Sequence, residues 1–369
     1  MAILTLTIAL FFAVLTTPLI RQFALGIDFV AHPAANRAHQ TSTPLMGGLA
    51  LYIGLTVPMV VFVGAVHFIA PEQIDLSLSD WSIIVVSGTL LMLIGLWDDW
   101  KTLESRTKLL LEFLAVIIVP VATEAVKIQM RIPELINLVL TVLWFLYLIN
   151  AVNYQDNMDG TAATIAVVAA MFFMVISVIN GQFLVASLSA AVAGTAFGFL
   201  RYNLFDSNRK IFMGDSGALF LGFMLAVIGI ILRFEAESPW ITWPVPVLIL
   251  GVPIFDTGLV FISRTRRGQS FFEGGIDHTS HRLARIGMGR FGVPFALGLM
   301  GSALGCAAIL VMHSDLMNSI AIQLFVALAG LYVFYRLEIR PSYEFRTGKI
   351  RPAEEPAVSE ELSPNKAMN

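Results

Sequence analysis

The chain has 369 residues, 57% hydrophobic and 13% charged, against roughly 25% charged in soluble domains; a water-soluble globular protein is excluded and a polytopic membrane protein predicted. The net charge of -3 gives no sign of a nucleic-acid partner, and the single cysteine, Cys306 in an apolar run, excludes an intrachain disulfide and reads as a small core residue. Apolar runs occur at 2–20, 45–70, 81–97, 109–126, 132–149, 161–179, 183–200, 218–232, 240–262, 291–312 and 320–335. They predict an all-α bundle of about eleven transmembrane helices. The first run lacks a preceding basic region and a small-residue cleavage site, so it reads as a retained helix rather than a signal peptide. No internal repeat is visible; residues 1–340 form one transmembrane domain, and 341–369, rich in Pro, Glu, Ser and Lys, is expected to be a disordered tail.

Basic residues orient the bundle. About 14 Lys and Arg fall in the connections after helices one, three, five, seven and nine, about 3 in the other connections and about 6 after the last helix. The expected topology therefore has the N-terminus outside and the C-terminus in the cytoplasm, with the five odd-numbered connections on the cytoplasmic side.

Those five connections hold the polar residues. The first contains Arg37 and His39, suited to an anionic ligand, then Pro44, Gly47 and Gly48, where helix-start amides would approach a phosphate; positive-inside charge and a glycine turn explain it equally. The second opens with Asp98 and Asp99, adjacent carboxylates that repel unless a cation or proton sits near them. Such hard oxygen donors suit magnesium, which takes one or two carboxylates plus substrate phosphates; the alternative is a solvated helix end. The third, 150–160, places Asn153, Asp156 and Asp159 between two apolar runs without a basic partner, and its two acids share a face if the segment is helical.

The fourth connection carries Asn203, then Asp215 between Gly214 and Gly217 before a helix, where it would cap the helix or hold a metal near phosphates. The fifth is the longest and most basic: Arg264, Arg266 and Arg267, then Asp277-His278-Thr-Ser280-His281-Arg282-Leu283. Its Arg and His residues would grip a diphosphate. A zinc pair is the other reading of His-x-x-His, but no cysteine stands nearby.

Taken in order, Pro44-x-x-Gly-Gly, Asp98-Asp99, Asn-Ala-x-Asn-x-x-Asp-x-x-Asp-Gly, Gly-Asp-x-Gly and Asp-His-x-x-His-Arg-Leu resemble the polyprenyl-phosphate N-acetylhexosamine-1-phosphate transferases, over about helices one to ten. The resemblance implies ten or eleven helices and transfer of a sugar phosphate from a UDP-sugar to undecaprenyl phosphate, with magnesium (manganese as a substitute) and release of UMP. It assigns Asp98 and Asp99 to the lipid-phosphate and catalytic end, with Asp159 on the family's second loop acid. It places Asn153, Asp156 and Asn203 near the nucleotide, Asp215 as the magnesium ligand, and His278, His281 and Arg282 on the diphosphate or sugar. A homodimer is left open.

The chain departs from the family pattern at Asn157, often glycine, at Ala218, often serine, at Ser280, commonly histidine, and at Ala31, where an acid is common. The reaction class stands and the sugar is put in question. The last motif resembles the N-acetylglucosamine branch; the alternative donor is UDP-N-acetylmuramoyl-pentapeptide. A cation-coupled transporter is the rival from another class, but it would place charges near the bilayer midplane, whereas these acids fall at helix ends.

Overall fold

The computed structural model of the protein describes residues 1–31, 42–69, 76–128, 130, 132–234, 238–270 and 275–339. Fourteen helices are seen among them: α1 (Ala2–Gly26), α2 (Gly47–Ile69), α3 (Leu78–Trp100), α4 (Ser105–Ala122), α5 (Glu134–Gln155), α6 (Thr161–Ile179), α7 (Phe183–Leu200), α8 (Gly214–Ile231), α9 (Pro239–Thr242), α10 (Pro244–Ile249), α11 (Gly251–Arg266), α12 (Thr279–Arg285), α13 (Gly292–Met312) and α14 (Leu316–Phe334). Nine spans among the described residues are long and apolar enough to cross a membrane, or ten with the bent pair α9–α10 and α11. Helix α4 completes the eleven expected runs; Arg106, Lys108 and Glu112 make it more polar than the rest.

Helices α7 and α8 form the centre, with nearly every residue buried. Helix α1 packs on α7 and α2, while α3 and α5 pack on α8. At the other extreme Ser319 is the one buried residue of α14, which presents Leu324, Phe325, Leu328 and Leu331 outward. An apolar helix without a buried stripe is what lipid solvation allows, because the acyl chains replace the core.

Three local features shape the end that carries the acids. The ninth run is not a straight span: α10 and α11 meet at 77°, and Pro253 has no N–H for the carbonyl of Ile249. Helix α7 runs into a π-turn at Arg201–Phe205. The strands β1 (Val30–Ala31) and β2 (Thr43–Pro44) pair antiparallel, and Pro44 accepts the Phe212 N–H at 2.9 Å, tying this ribbon to the connection before α8.

Several helices outrun their apolar runs. Helix α3 continues to Trp100 and contains both Asp98 and Asp99, α8 begins at Gly214, and α4 begins at Ser105. Hydropathy stops at the first charge, but backbone hydrogen bonding does not. Helix α5 likewise reaches Gln155, so Asp156 is its C-cap and Asp159 lies in the turn beyond. The two acids therefore do not share a helical face.

Candidate functional site

The two adjacent aspartates have different surroundings. Asp99 points at the start of α8, where its Oδ1 accepts the Asp215 N–H at 2.8 Å and its Oδ2 accepts the Ser216 N–H at 3.2 Å and the Ser216 hydroxyl at 2.9 Å. It is the N-terminal cap of α8, supplied from another helix, so Asp215 is relieved of capping. Gly214 makes this approach feasible: its φ is 69°, and a Cβ there would strike the Asp99 carboxylate and the Leu45 carbonyl. The Gly47 and Gly48 amides, expected to approach a phosphate, donate instead to the carbonyls of Phe212 and Met213 at 3.0 and 2.9 Å. That expectation is corrected, because the α2 start is spent on anchoring the connection before α8.

Asp98 faces a different partner. Its Oδ1 accepts the Leu103 N–H at 2.6 Å, and its Oδ2 meets the Lys108 Nζ at 3.0 Å. The same ammonium is paired with Oδ2 of Asp215, whose Oδ1 accepts from Asn153 Nδ2 at 2.9 Å. Glu112, one turn along α4 from Lys108 and fully buried, accepts from Asn150 at 2.7 Å. Burial and then the charges of Asp215, Asp99 and Asp159 push the Asp156 carboxyl well above the usual carboxylate range.

This end of the bundle thus gathers Asp98, Asp99, Asp156, Asp215 and Glu112 around one ammonium, a surplus of negative charge in a partly desolvated place. Among the described residues no three acids or histidines converge as a closed metal site. An open, all-oxygen set short of ligands is nevertheless the kind that magnesium completes with substrate phosphates. Of the two acids paired with Lys108, Asp215 has the more exposed side chain, 32% against 10% for Asp98.

Asp159 lies to one side, paired with Lys210 at 2.6 Å and near Arg290 Nε at 3.7 Å. Asn203 is turned inward: its Oδ1 accepts the Gly160 N–H at 2.7 Å and its Nδ2 donates to the Ile211 carbonyl at 3.0 Å. It holds together the turn after α5 and the connection before α8. Gly160 has φ 76°, and a Cβ there would strike Leu204.

The histidine end is built around α11 and α12. Asp256, 1% exposed, accepts the Thr279 N–H at 2.5 Å and pairs with His278 Nδ1 at 2.8 Å. Arg264 makes two bonds to Asp277, at 3.0 and 2.9 Å, and Arg267 adds one at 2.6 Å. Burial works to raise the Asp277 carboxyl, but the Arg264 hydrogen bonds and charge outweigh it and hold it down at about 2. Burial, then the neighbouring His278 and Arg285, lowers His281 to about 4. Arg282 is fully buried and donates to the carbonyls of Asp277 and Leu337, the Glu338 carboxylate and the Ser263 hydroxyl.

Two contacts join the histidine end to the aspartate end. The rings of Tyr154 and His278 lie 5.9 Å apart, and the Ser280 hydroxyl donates to Asn157 Oδ1 at 2.5 Å. Two of the four positions noted above as departures from the family pattern, Asn157 and Ser280, therefore touch each other. Of the residues expected in the site, Asp98, Asp99, Asn153, Asp156 and Asp215 form one group and His278 and His281 another, with Asp159 and Asn203 on the loops between. Arg282 braces α12 from beneath, and Arg37 and His39 lie outside the described residues.

Four participants were missed. Lys108 sits in the first turn of α4, where the helix dipole disfavours a cation; that misplacement was the available signal. Glu112 and Asp256 are acids inside apolar runs, a pattern that marks a site by default. Lys210 had none, because one lysine in a cytoplasmic-type loop looks like any other.

Residues 81–233 match the family described as glycosyl transferase family 4. The chain is 28% identical over 323 residues to the probable undecaprenyl-phosphate N-acetylglucosaminyl 1-phosphate transferase of Bacillus subtilis, covering 85% of this chain and 86% of that protein. It is 30% identical over 322 residues to the decaprenyl-phosphate N-acetylglucosaminephosphotransferase of Mycobacterium tuberculosis, covering 78% and 76%. A shorter match, 47% identical over 62 residues, is to the phospho-N-acetylmuramoyl-pentapeptide-transferase of Clostridium botulinum and covers 17% and 18%.

Proposed function

The chain belongs to glycosyl transferase family 4, among the polyprenyl-phosphate N-acetylglucosamine-1-phosphate transferases, and from that premise we propose that it moves N-acetylglucosamine 1-phosphate from its UDP-sugar to undecaprenyl phosphate at the cytoplasmic face, releasing UMP. The observation that carries this reading is the meeting of Asp98, Lys108, Asp215 and Asn153, drawn from four helices, at one end of the bundle. The long matches to N-acetylglucosamine enzymes, against a short one to a pentapeptide enzyme, favour the smaller donor.

The chemistry brings two anions together: a phosphate oxygen of the lipid attacks the β-phosphorus of the donor, and the bond to the oxygen bridging the two phosphorus atoms breaks as UMP leaves. Catalysis is then mainly positioning and charge neutralisation. Lys108 supplies a cation at the reacting end. Asp98, held by the Leu103 amide and Lys108, is placed to take the proton of the lipid phosphate or to attack first as a nucleophile. Asp215, with Asp98 beside it, would hold magnesium, which supplies charge neutralisation on the diphosphate. His278 and His281 would bind the diphosphate or sugar, and Asp99 keeps α8 and hence Asp215 in place.

The acceptor has a matching surface. An apolar groove of about 320 Å³, lined by Phe29, Leu93, Leu96, Trp97 and Trp100, opens along the last turns of α3 that carry Asp98, and its walls suit a prenyl tail. The test is a donor panel with purified protein, undecaprenyl phosphate and magnesium. Turnover of UDP-N-acetylglucosamine with UMP as product is expected; activity confined to the muramoyl-pentapeptide donor refutes the branch, and release of UDP refutes the chemistry.

A further inference from the structure

Asp256 lies in the apolar helix α11, and nothing in the reaction above uses it. A buried carboxylate in a membrane protein is costly unless its surroundings demand it. Its two oxygens are divided between neighbours: Oδ1 takes the Thr279 N–H at 2.5 Å and Oδ2 takes His278 Nδ1 at 2.8 Å. The backbone amide can only donate, and the carboxylate brings no proton to the second contact. The proton between Oδ2 and the ring therefore belongs to Nδ1, which leaves Nε2, without a partner among the described residues, as the nitrogen free to act. Around the ring stand Tyr154 at 5.9 Å and His281 at 6.0 Å, and His281 Nδ1 is itself buried without a partner.

We propose that Asp256 is the positioning residue for His278: it fixes the ring with its proton on Nδ1 and stabilises the imidazolium that forms when Nε2 takes a proton from solvent beside the donor's diphosphate. This rests on the transferase reading. A carboxylate behind a histidine performs both tasks in other enzymes, setting the tautomer and stabilising the cation without itself being protonated. Here the backbone contact makes the arrangement hard to mimic. In Asp256→Asn the Thr279 N–H still requires Oδ1, so the amide nitrogen must face His278, and a donor there turns Nδ1 into an acceptor and moves the ring proton to Nε2.

The experiment is nitrogen-15 NMR of histidine-labelled protein in nanodiscs, with His278 assigned by the difference from His278→Gln, joined to a kinetic cycle. The parent should show a proton on Nδ1 of His278, and Asp256→Asn should show it on Nε2 at a melting temperature near the parent's. kcat for UDP-N-acetylglucosamine should fall on the order of a hundredfold in Asp256→Asn, and by less than about twofold when the same change is made in His278→Gln. An unprotonated Nδ1 in the parent overturns the inference, as does an Asp256→Asn loss that is fully retained in the His278→Gln background, which would make Asp256 only a brace between α11 and α12. Should Asp256→Asn not fold, the parent spectrum alone decides. A parent that turns over no donor refutes the transferase reading, and the tautomer still tests this one.

Discussion

Asp98 and Asp99 are neighbours in sequence, and the structure predicts that replacing them has opposite consequences. Asp99 receives three hydrogen bonds from the first turn of α8. In Asp99→Asn one oxygen remains and an amide nitrogen is pressed against N–H donors, so at least one charge-assisted bond is lost, about 1.5–3 kcal/mol, together with about 0.3–1 kcal/mol of dipole stabilisation. Asp98→Asn keeps an oxygen for the Leu103 N–H, leaves Lys108 its Asp215 partner, and removes repulsion between two carboxylates. Its melting temperature should fall less than that of Asp99→Asn, because Lys108 keeps the Asp215 charge, while turnover falls roughly 10²- to 10⁴-fold through loss of the acid–base or nucleophilic group. The assay is a pair of measurements on detergent-purified protein: thermal unfolding followed by size-exclusion chromatography, and UMP release at saturating donor. Asp99→Asn should unfold several degrees lower, with activity reduced in step with the displacement of Asp215. A lowered melting temperature for Asp98→Asn beside a parental one for Asp99→Asn would refute the division of roles.

Asp215→Asn should fold, because the α8 cap comes from Asp99, yet lose on the order of a thousandfold in rate and its dependence on added magnesium. Asp206→Asn is the control and should keep most activity, since Asp206 serves only an exposed turn through the Asn208 and Arg209 amides; near-parental turnover of Asp215→Asn at low magnesium would move the metal elsewhere. With Cys306 replaced by alanine, a cysteine at His313 should label from outside intact cells with an impermeant thiol reagent and one at Gln269 should not, and the reverse pattern would place the site on the wrong side. Ser280→His should lower the melting temperature by overpacking a fully buried position against Asn157, at a cost of about 1–3 kcal/mol. Adding Asn157→Gly should recover most of that, and a strictly additive double variant would show that the two positions do not share one space.

The sequence by itself determined the class of fold and the end of the bundle at which the acids gather. Composition leaves only a membrane protein, the eleven apolar runs all recur as helical segments, and the even number of spans between successive acidic connections puts those connections on one face. What only the tertiary structure decided is which acid meets which partner. Adjacent aspartates look alike in a string of letters, but on a helix they point about 100° apart, so one meets Lys108 and the other the amides of α8. Lys108, Glu112 and Asp256 were hidden for a related reason: a hydropathy scan averages a lone charge into its apolar neighbours, and its partner lies on another helix many residues away. Asn157 and Ser280 read as unrelated departures because a separation of 123 positions along the chain says nothing of a contact. Partnership among polar groups is set by packing at a distance, where water is scarce and each buried charge must be answered by a specific neighbour, and spacing along the chain carries no record of it.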